Sequence, residues 1–243
     1  MLGIAVGLSV LGSLGGVIVA SSFLLLHETI RVRLVPWLIS YAVGTLVGVA
    51  LLALVPESLS ALPARRAMLM MVGGILGFFL LEKAVIWRHC HDDEECHVHN
   101  TAASLVIVGD TFHTFVDGAV IAAAVLTSIP LGVTTALAVA AHEIPQEVGD
   151  VAILLRAGYS RMRAFTLNLL AGTGGILGAI AMVLASRLLP HALPYVLAFA
   201  AGNFLYVAMA DLIPDLHRGN AVGGTRQFLL MGAGIVTIAM LQS

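Results

Sequence analysis

Charged residues are scarce in this chain, and their scarcity argues against a soluble protein. Only 11% of the 243 residues are Asp, Glu, Lys or Arg, whereas about 25% is typical of a soluble domain. The net charge is −2 and no basic tract occurs, so a nucleic-acid partner is excluded. The two cysteines, Cys90 and Cys96, are too few for a disulfide scaffold.

Hydrophobic residues are abundant in their place. They make up 59% of the chain, and the mean hydropathy is +1.00. A helix needs about 20 apolar residues to cross a hydrocarbon core of about 30 Å. The pattern therefore predicts an integral, multi-pass membrane protein, an all-α transmembrane bundle forming one transport domain over residues 1–243. Its eight spans are expected at 2–26, 37–55, 67–87, 102–128, 131–155, 164–188, 193–213 and 226–242.

The basic residues set the expected orientation. Loops after the odd-numbered spans hold nine of the 12 basic residues, and loops after the even-numbered spans hold three. Cytoplasmic loops carry the excess of Lys and Arg, so both termini are expected to be extracytoplasmic, in a bacterial inner (plasma) membrane. Spans 1–3 and 6–8 then run in opposite directions. This parity permits inverted repeats around spans four and five, although no convincing similarity between the halves is visible.

Polar residues inside two neighbouring spans carry the functional prediction. In span four, Asp110, His113 and Asp117 are spaced i, i+3 and i+7, so they share one helix face. A charged side chain at the bilayer centre costs at least about 2.5–3.5 kcal/mol, and such residues usually face a bundle interior or a water-filled path. A purely structural role, as buried ion pairs that lock the helices together, is the alternative.

Span five carries a matching set. His142, Gln146 and Asp150 lie on one stripe, and Glu143 and Glu147 lie on an adjacent one. The short turn between spans four and five makes them antiparallel neighbours. The histidine of each span lies eleven residues from the end at which that span enters the membrane, a depth of about 16 Å.

Two sets of histidines and carboxylates at one depth predict a metal site near the midplane. Imidazole and carboxylate ligands suit zinc best, and iron, manganese or cadmium can also use them. The expected ligands are His113, Asp117, His142 and Glu143, with Gln146, Glu147 and Asp110 beside them.

These strings resemble a known family. The segment from His113 to Gly118 resembles the His-Asn-x-x-Asp-Gly motif of the ZIP metal transporters, and the segment from His142 to Glu147 is similar to their His-Glu-x-Pro-His-Glu motif. Residues 44–57 and 206–215 fit as well. The resemblance implies eight spans and movement of a divalent metal, most of all zinc, into the cytoplasm, as the helix group that holds the site shifts.

The resemblance also assigns individual residues and shows where this chain departs from the family. It implies a central site at His113, Asp117 and His142, with Glu143 at an adjacent metal position and Glu147 as the final glutamate. The motif Asn is replaced by Thr114, the second span-five His by Gln146, and the span-six Glu of some bacterial relatives by Gly175. We therefore expect one good metal site, with a degraded or absent second.

A loop rich in His, Cys and acids runs from His89 to His99, within the stretch 88–101. It is predicted to be cytoplasmic and reducing, so its cysteines are expected to be thiols. It either binds metal or is a solvated acidic loop.

Two other functions use the same residues. His142 and Glu143 form the first half of an H-E-x-x-H pattern, so an intramembrane zinc metalloprotease is the main alternative, although Gln146 stands in place of its second histidine. A metal-gated sensor is the other. The predicted partners are divalent ions, the lipid bilayer and a second copy in a homodimer.

Overall fold

The computed structural model describes residues 1–23, 27–87, 98–218 and 224–242. Within these ranges the regular structure is helical and no strand occurs, which confirms the all-α membrane bundle. The helical rods, numbered α1 to α8 in chain order, are Leu2–Phe23, Glu28–Ala61, Ala64–Trp87, Val98–Thr127, Ile129–Arg156, Arg161–Leu188, Leu193–Arg218 and Gly224–Gln242. A short 3-10 turn, Pro190–Ala192, precedes α7. Most of the predicted loop from His89 to His99 lies outside the described residues, and its end begins α4.

Seven of the eight described rods contain a segment long and apolar enough to cross a membrane. The exception is α5 (Ile129–Arg156), which carries His142, Glu143, Gln146 and Glu147. These polar residues lower its hydropathy, yet the helix is one of the longest and lies inside the bundle, where helix neighbours replace lipid. A polar helix at membrane depth is tolerated when it is buried in protein or lines a path for substrate.

The rods form two groups. In the first group, α1, α4, α5 and α6 pack on one another, with α4 against α6 as the most extensive contact. In the second group, α2 packs on α8 and α3 packs on α7. The two groups meet chiefly where α2 contacts α5 and where α4 contacts α7. We call them the site bundle and the partner bundle, because both metal-ligand motifs lie in the first.

Two rods contain a π-helical segment at equivalent places. In α2 the segment is Val49–Leu54, and in α7 it is Val207–Leu212. Each segment begins five residues after a glycine and ends two residues before a proline. The matching residues are Gly44 with Gly202, Val49 with Val207, Ala50 with Ala208, Leu54 with Leu212, and Pro56 with Pro214. This internal similarity is present in the sequence and was not predicted from it.

The matching glycines also have matching roles in packing. A Cβ on Gly44 would overlap the backbone carbonyl of Met231 in α8, and a Cβ on Gly202 would overlap the carbonyl of Met71 in α3. Glycine is therefore needed where each π-containing helix approaches its neighbour. If spans 1–3 correspond to spans 6–8, as an inverted repeat requires, then α2 corresponds to α7 and α8 corresponds to α3. The helix pair α2–α8 therefore matches the helix pair α7–α3.

Candidate metal centre

The candidate site lies between α4 and α5, which are joined by Ser128 alone. The hydroxyl of Ser128 accepts a hydrogen bond from the backbone N–H of Leu131 at 3.3 Å, and Pro130 occupies the first turn of α5. These are favoured features of a helix start, and they turn the chain back at once. The two helices are therefore antiparallel neighbours.

Three ligand atoms from these helices converge. The Nε2 atoms of His113 and His142 lie 3.2 Å apart, and Oδ2 of Asp117 lies 3.1 Å from Nε2 of His142 and 3.4 Å from Nε2 of His113. Zinc–ligand bonds of about 2.05 Å in a tetrahedron place neighbouring ligand atoms about 3.3 Å apart. The three atoms thus have the spacing of one face of a zinc tetrahedron. Oε1 of Glu143 lies farther out, 3.9 Å from Nε2 of His113.

Hydrogen bonding fixes how His142 faces this centre. Its Nδ1 lies 3.0 Å from the carbonyl oxygen of Ala138, and because a carbonyl only accepts, Nδ1 must carry the proton. In a neutral ring Nε2 then presents a lone pair, and this lone pair faces the carboxylate of Asp117. Two acceptors at this distance repel each other unless a proton or a metal cation lies between them. The arrangement is that of a metal-binding histidine oriented by a backbone carbonyl.

The side chains of this centre are buried, which strengthens the electrostatic interactions among them. His142 and Asp117 are 0% exposed, and Glu143 is 1% exposed. The ring of Phe78, from α3, contacts His113 edge-on with centroids 5.5 Å apart, and Phe204, from α7, contacts His142 at 6.0 Å. The partner bundle thus covers the centre with aromatic rings, which limit the access of water and strengthen electrostatic interactions within it.

A second cluster, which we call the carboxylate triad, lies beside the first. Asp110, Glu143 and Glu147 bring one ligand oxygen each to within 4.8 Å of one another, and all three side chains are buried. Their carboxylate oxygens have no hydrogen-bond partner. Buried carboxylates without partners are costly unless a proton or a cation neutralises them. Glu143 belongs to both clusters and connects them.

The structure thus places six of the seven predicted ligands in the two clusters. Gln146 is the exception: it is only half-buried, and its part in metal binding remains a prediction.

Thr114, which replaces the family's motif Asn, has a role that the sequence did not reveal. Its Oγ1 donates to the backbone carbonyl of Ala171 in α6 at 3.0 Å. Gly175, at the position of the bacterial Glu, packs against Gly118, and an added Cβ would overlap the hydroxyl of Ser13. Both departures therefore serve close packing between helices of the site bundle.

We expect Thr114→Val to lower stability by about 0.6–1.7 kcal/mol, the range of hydrogen bonds between membrane helices, and to leave zinc affinity within about twofold because the hydroxyl points away from the ligands. Thermal unfolding in detergent and a zinc-binding isotherm check this. Thr135→Val is the matched control, since Thr135 is equally buried and its hydroxyl bonds to Leu131 within its own helix. A tenfold loss of zinc affinity in Thr114→Val would place the hydroxyl among the ligands.

Comparison with known proteins identifies the family. The family model described as ZIP zinc transporter matches residues 87–242, which include both clusters. The chain belongs to the ZIP zinc transporter family. It is therefore a multi-pass membrane protein, and ZIP membership supports a transporter and gives no support to the intramembrane metalloprotease.

Individual ZIP relatives agree. The chain is 36% identical to zinc transporter ZIP13 of Pongo abelii, over 84% of this chain and 65% of the relative. It is 32% identical to human ZIP13, over 84% of this chain and 69% of the relative, and 36% identical to zinc transporter ZIP10 of Danio rerio, over 56% and 16%. The chain thus spans about two thirds of the ZIP13 relatives and a small part of ZIP10.

Proposed function

We propose that this ZIP protein carries zinc across a membrane into the cytoplasm, and that His113, Asp117 and His142 bind the ion at mid-membrane depth. The observation that carries the proposal is the spacing of their three ligand atoms, 3.1 to 3.4 Å, on two antiparallel helices. Two imidazoles and a carboxylate are a donor set that zinc prefers. Relatives that are named zinc transporters support zinc as the substrate.

The division into two bundles supports a mode of movement. His113, Asp117, His142 and Glu143 belong to α4 and α5, whereas the facing residues of the partner bundle described above, Phe78 and Phe204, are apolar rings. A slide of the site bundle past these rings breaks no metal–ligand bond. The ion would therefore travel with the site bundle and be exposed to each side of the membrane in turn.

The orientation of the bundle in the membrane rests on the positive-inside rule, and movement toward the cytoplasm is what the family resemblance implies. Arg161 and Arg163 begin α6, just beyond the end of α5 that carries Glu147, and we infer that this end faces the cytoplasm. Three further points remain expectations: location in a bacterial inner membrane, assembly as a homodimer, and transport of iron, manganese or cadmium as further substrates. The relatives named above are vertebrate proteins and give no support to a bacterial membrane. Locating the protein within the cell that makes it would identify its membrane.

Zinc uptake into vesicles that contain the purified protein and an internal zinc-sensitive dye tests the proposal. We expect uptake above that of protein-free vesicles, and no cleavage of membrane-spanning peptides added to the same preparation. A preparation that cleaves such peptides and takes up no zinc would overturn the transport proposal and favour the protease. Binding of zinc without uptake or cleavage would favour a sensor.

Replacing Gln146 by His restores the ligand that the family motif has at this position. We expect Gln146→His to tighten zinc binding by about tenfold, because imidazole is a stronger zinc ligand than a neutral amide, or to change the order of preference among zinc, manganese and cadmium. Calorimetric isotherms for the three metals provide the measurement. Unchanged isotherms in a folded variant would show that position 146 does not contact the ion.

A further inference from the structure

A side-chain hydrogen bond joins the two bundles at the end of the molecule assigned to the outside of the membrane. Nε2 of Gln242, at the end of α8, lies 2.9 Å from Oγ1 of Thr134 on α5. The hydroxyl of Thr134 donates its proton to the carbonyl of Pro130 at 2.8 Å, so it can only accept from a second partner. The amide nitrogen of Gln242 is therefore the donor, and a residue of the partner bundle binds a residue of the site bundle.

Thr134 lies on the face of α5 that leads to the metal centre. Thr134, Ala138 and His142 are spaced by four residues, so they share one helix face. Thr134 is eight residues, or about 12 Å, outside His142. It is 1% exposed, and both Ala138 and His142 are 0% exposed. This face is closed from the hydrogen bond to the metal centre, so an ion from outside cannot reach His142 along it in this state.

The other contacts near this face are apolar. Leu46 and Val49 of α2 belong to the same buried hydrophobic cluster as Leu131 and Ala138 of α5. Apolar attraction has no preferred direction, so such surfaces can exchange one set of neighbours for another as the bundles slide. A hydrogen bond is directional and is lost when its donor and acceptor separate beyond about 3.5 Å. The bond from Gln242 therefore opposes a movement that the apolar contacts permit.

Gln242 moves with the partner bundle, because α8 is packed tightly on α2. A Cβ on Gly234 of α8 would overlap the backbone carbonyl of Tyr41 of α2, and the hydroxyl of Tyr41 donates to Thr237 of α8 at 3.2 Å. The two helices thus form one unit. A slide of the site bundle past this unit separates Gln242 from Thr134.

We propose that the hydrogen bond between Gln242 and Thr134 is a latch that holds the extracytoplasmic entrance of the transporter closed and breaks when an ion enters from that side. The inference rests on the proposed function, because that function requires the site bundle to slide. Both partners are neutral, so the latch offers no charge that would compete with the metal centre for the ion. A single bond favours the closed state and still allows it to open.

Labelling of an introduced cysteine measures how often this entrance opens. The reporter is Ala138→Cys, between the latch and His142, in full-length protein whose Cys90 and Cys96 are replaced by Ser. The probe is a charged, membrane-impermeant methanethiosulfonate added to zinc-free vesicles. The labelling rate follows the population of the open state, in which alone the reporter is accessible. Gln242→Met, which keeps the length of the side chain and removes the donor, should raise this rate by about three- to fifteenfold, the range for one hydrogen bond between membrane helices.

Two further variants show whether the effect comes from this bond. Thr134→Val removes the acceptor and should raise the labelling rate by a similar factor. The double variant Thr134→Val, Gln242→Met should raise it no further, because both changes remove the same bond. Thr237→Val is the matched control on α8: it breaks the bond to Tyr41 within the partner bundle and should change the rate by less than about twofold.

Cross-linking tests whether the two residues must separate during transport. In the same cysteine-free background, Thr134→Cys and Gln242→Cys are introduced together and joined by a short bifunctional methanethiosulfonate. Zinc uptake should fall to the level of protein-free vesicles and return after reduction. The pair Tyr41→Cys and Thr237→Cys, joined within the partner bundle, is the control and should keep its uptake.

Three results would overturn the latch. The first is a labelling rate that is unchanged in both folded single variants. The second is a double variant whose rate is the product of the two single effects, since the residues would then act independently. The third is full zinc uptake by protein cross-linked between positions 134 and 242. If the background protein takes up no zinc although the labelling rates change as expected, the transport proposal fails and the latch remains.

Discussion

Replacing His142 by Ala is expected to reduce zinc uptake to the level of protein-free vesicles. His142 provides the Nε2 atom that lies closest to both other ligand atoms, 3.2 Å from His113 and 3.1 Å from Asp117. Its loss removes one of the three zinc ligands and leaves only His113, at 3.4 Å, beside the buried Asp117 carboxylate. Changes in groups that merely orient zinc ligands weaken binding about 10–100-fold, so loss of a ligand should exceed that range. Dye-loaded vesicles measure the uptake.

The controls separate the site from the fold. His191→Ala changes an exposed histidine in the 3-10 turn before α7 and should leave uptake unchanged. Because alanine at a fully buried position can impair folding, His142→Gln, which keeps a polar side chain, and Asp117→Asn accompany it, with size-exclusion profiles for each. Full uptake by folded His142→Ala and Asp117→Asn would remove these residues from the transport site.

Replacing Gly178 by Ala is expected to destabilise the protein by about 3 kcal/mol, the upper part of the range for overpacking. An added Cβ on Gly178 would overlap the backbone carbonyl of Phe115 and crowd the backbone of Ala119. A rigid backbone cannot move aside as a flexible side chain can, so α4 and α6 must separate. Thermal unfolding of the protein in detergent, followed by its loss of monodispersity, measures the effect.

Gly7→Ala is the matched control in the same bundle. Gly7 lies within α1 and has open space where a Cβ would be placed. Alanine there should leave stability unchanged or raise it by about 0.5 kcal/mol, because it stiffens a helical position. If Gly178→Ala unfolds at the same temperature as Gly7→Ala, then close contact between α4 and α6 does not limit stability.

Hydropathy predicts the number and order of the helices because lipid imposes a minimum length on every span. It places their ends less well. The length of an apolar segment does not predict where polar residues continue the helix beyond the bilayer. Residues 28–36 extend the helix before the predicted second span, and residues 98–101 extend the helix before the predicted fourth span. The π segments were not predicted either, because hydropathy carries no signal of the extra residue in a π turn.

The meeting of His113 and His142 could be expected from their equal depth on adjacent antiparallel helices, and the structure brings their Nε2 atoms together. The role of Thr114 could not be expected. It depends on how α6 packs against α4, and sequence adjacency gives no information about that pairing. The small residues Ala171, Gly174, Gly175 and Gly178, which share one face of α6, are the signal that could have predicted a close helix contact.

The paired π segments bear on the ancestry of the chain. A π turn holds one more residue than a regular turn, and both halves hold it at the same distance from a glycine and a proline. Independent insertions would have had to occur at the same point twice, whereas one insertion in a three-span ancestor, followed by its duplication, accounts for both. Spans four and five, which carry the ligand motifs, lie between the two copies.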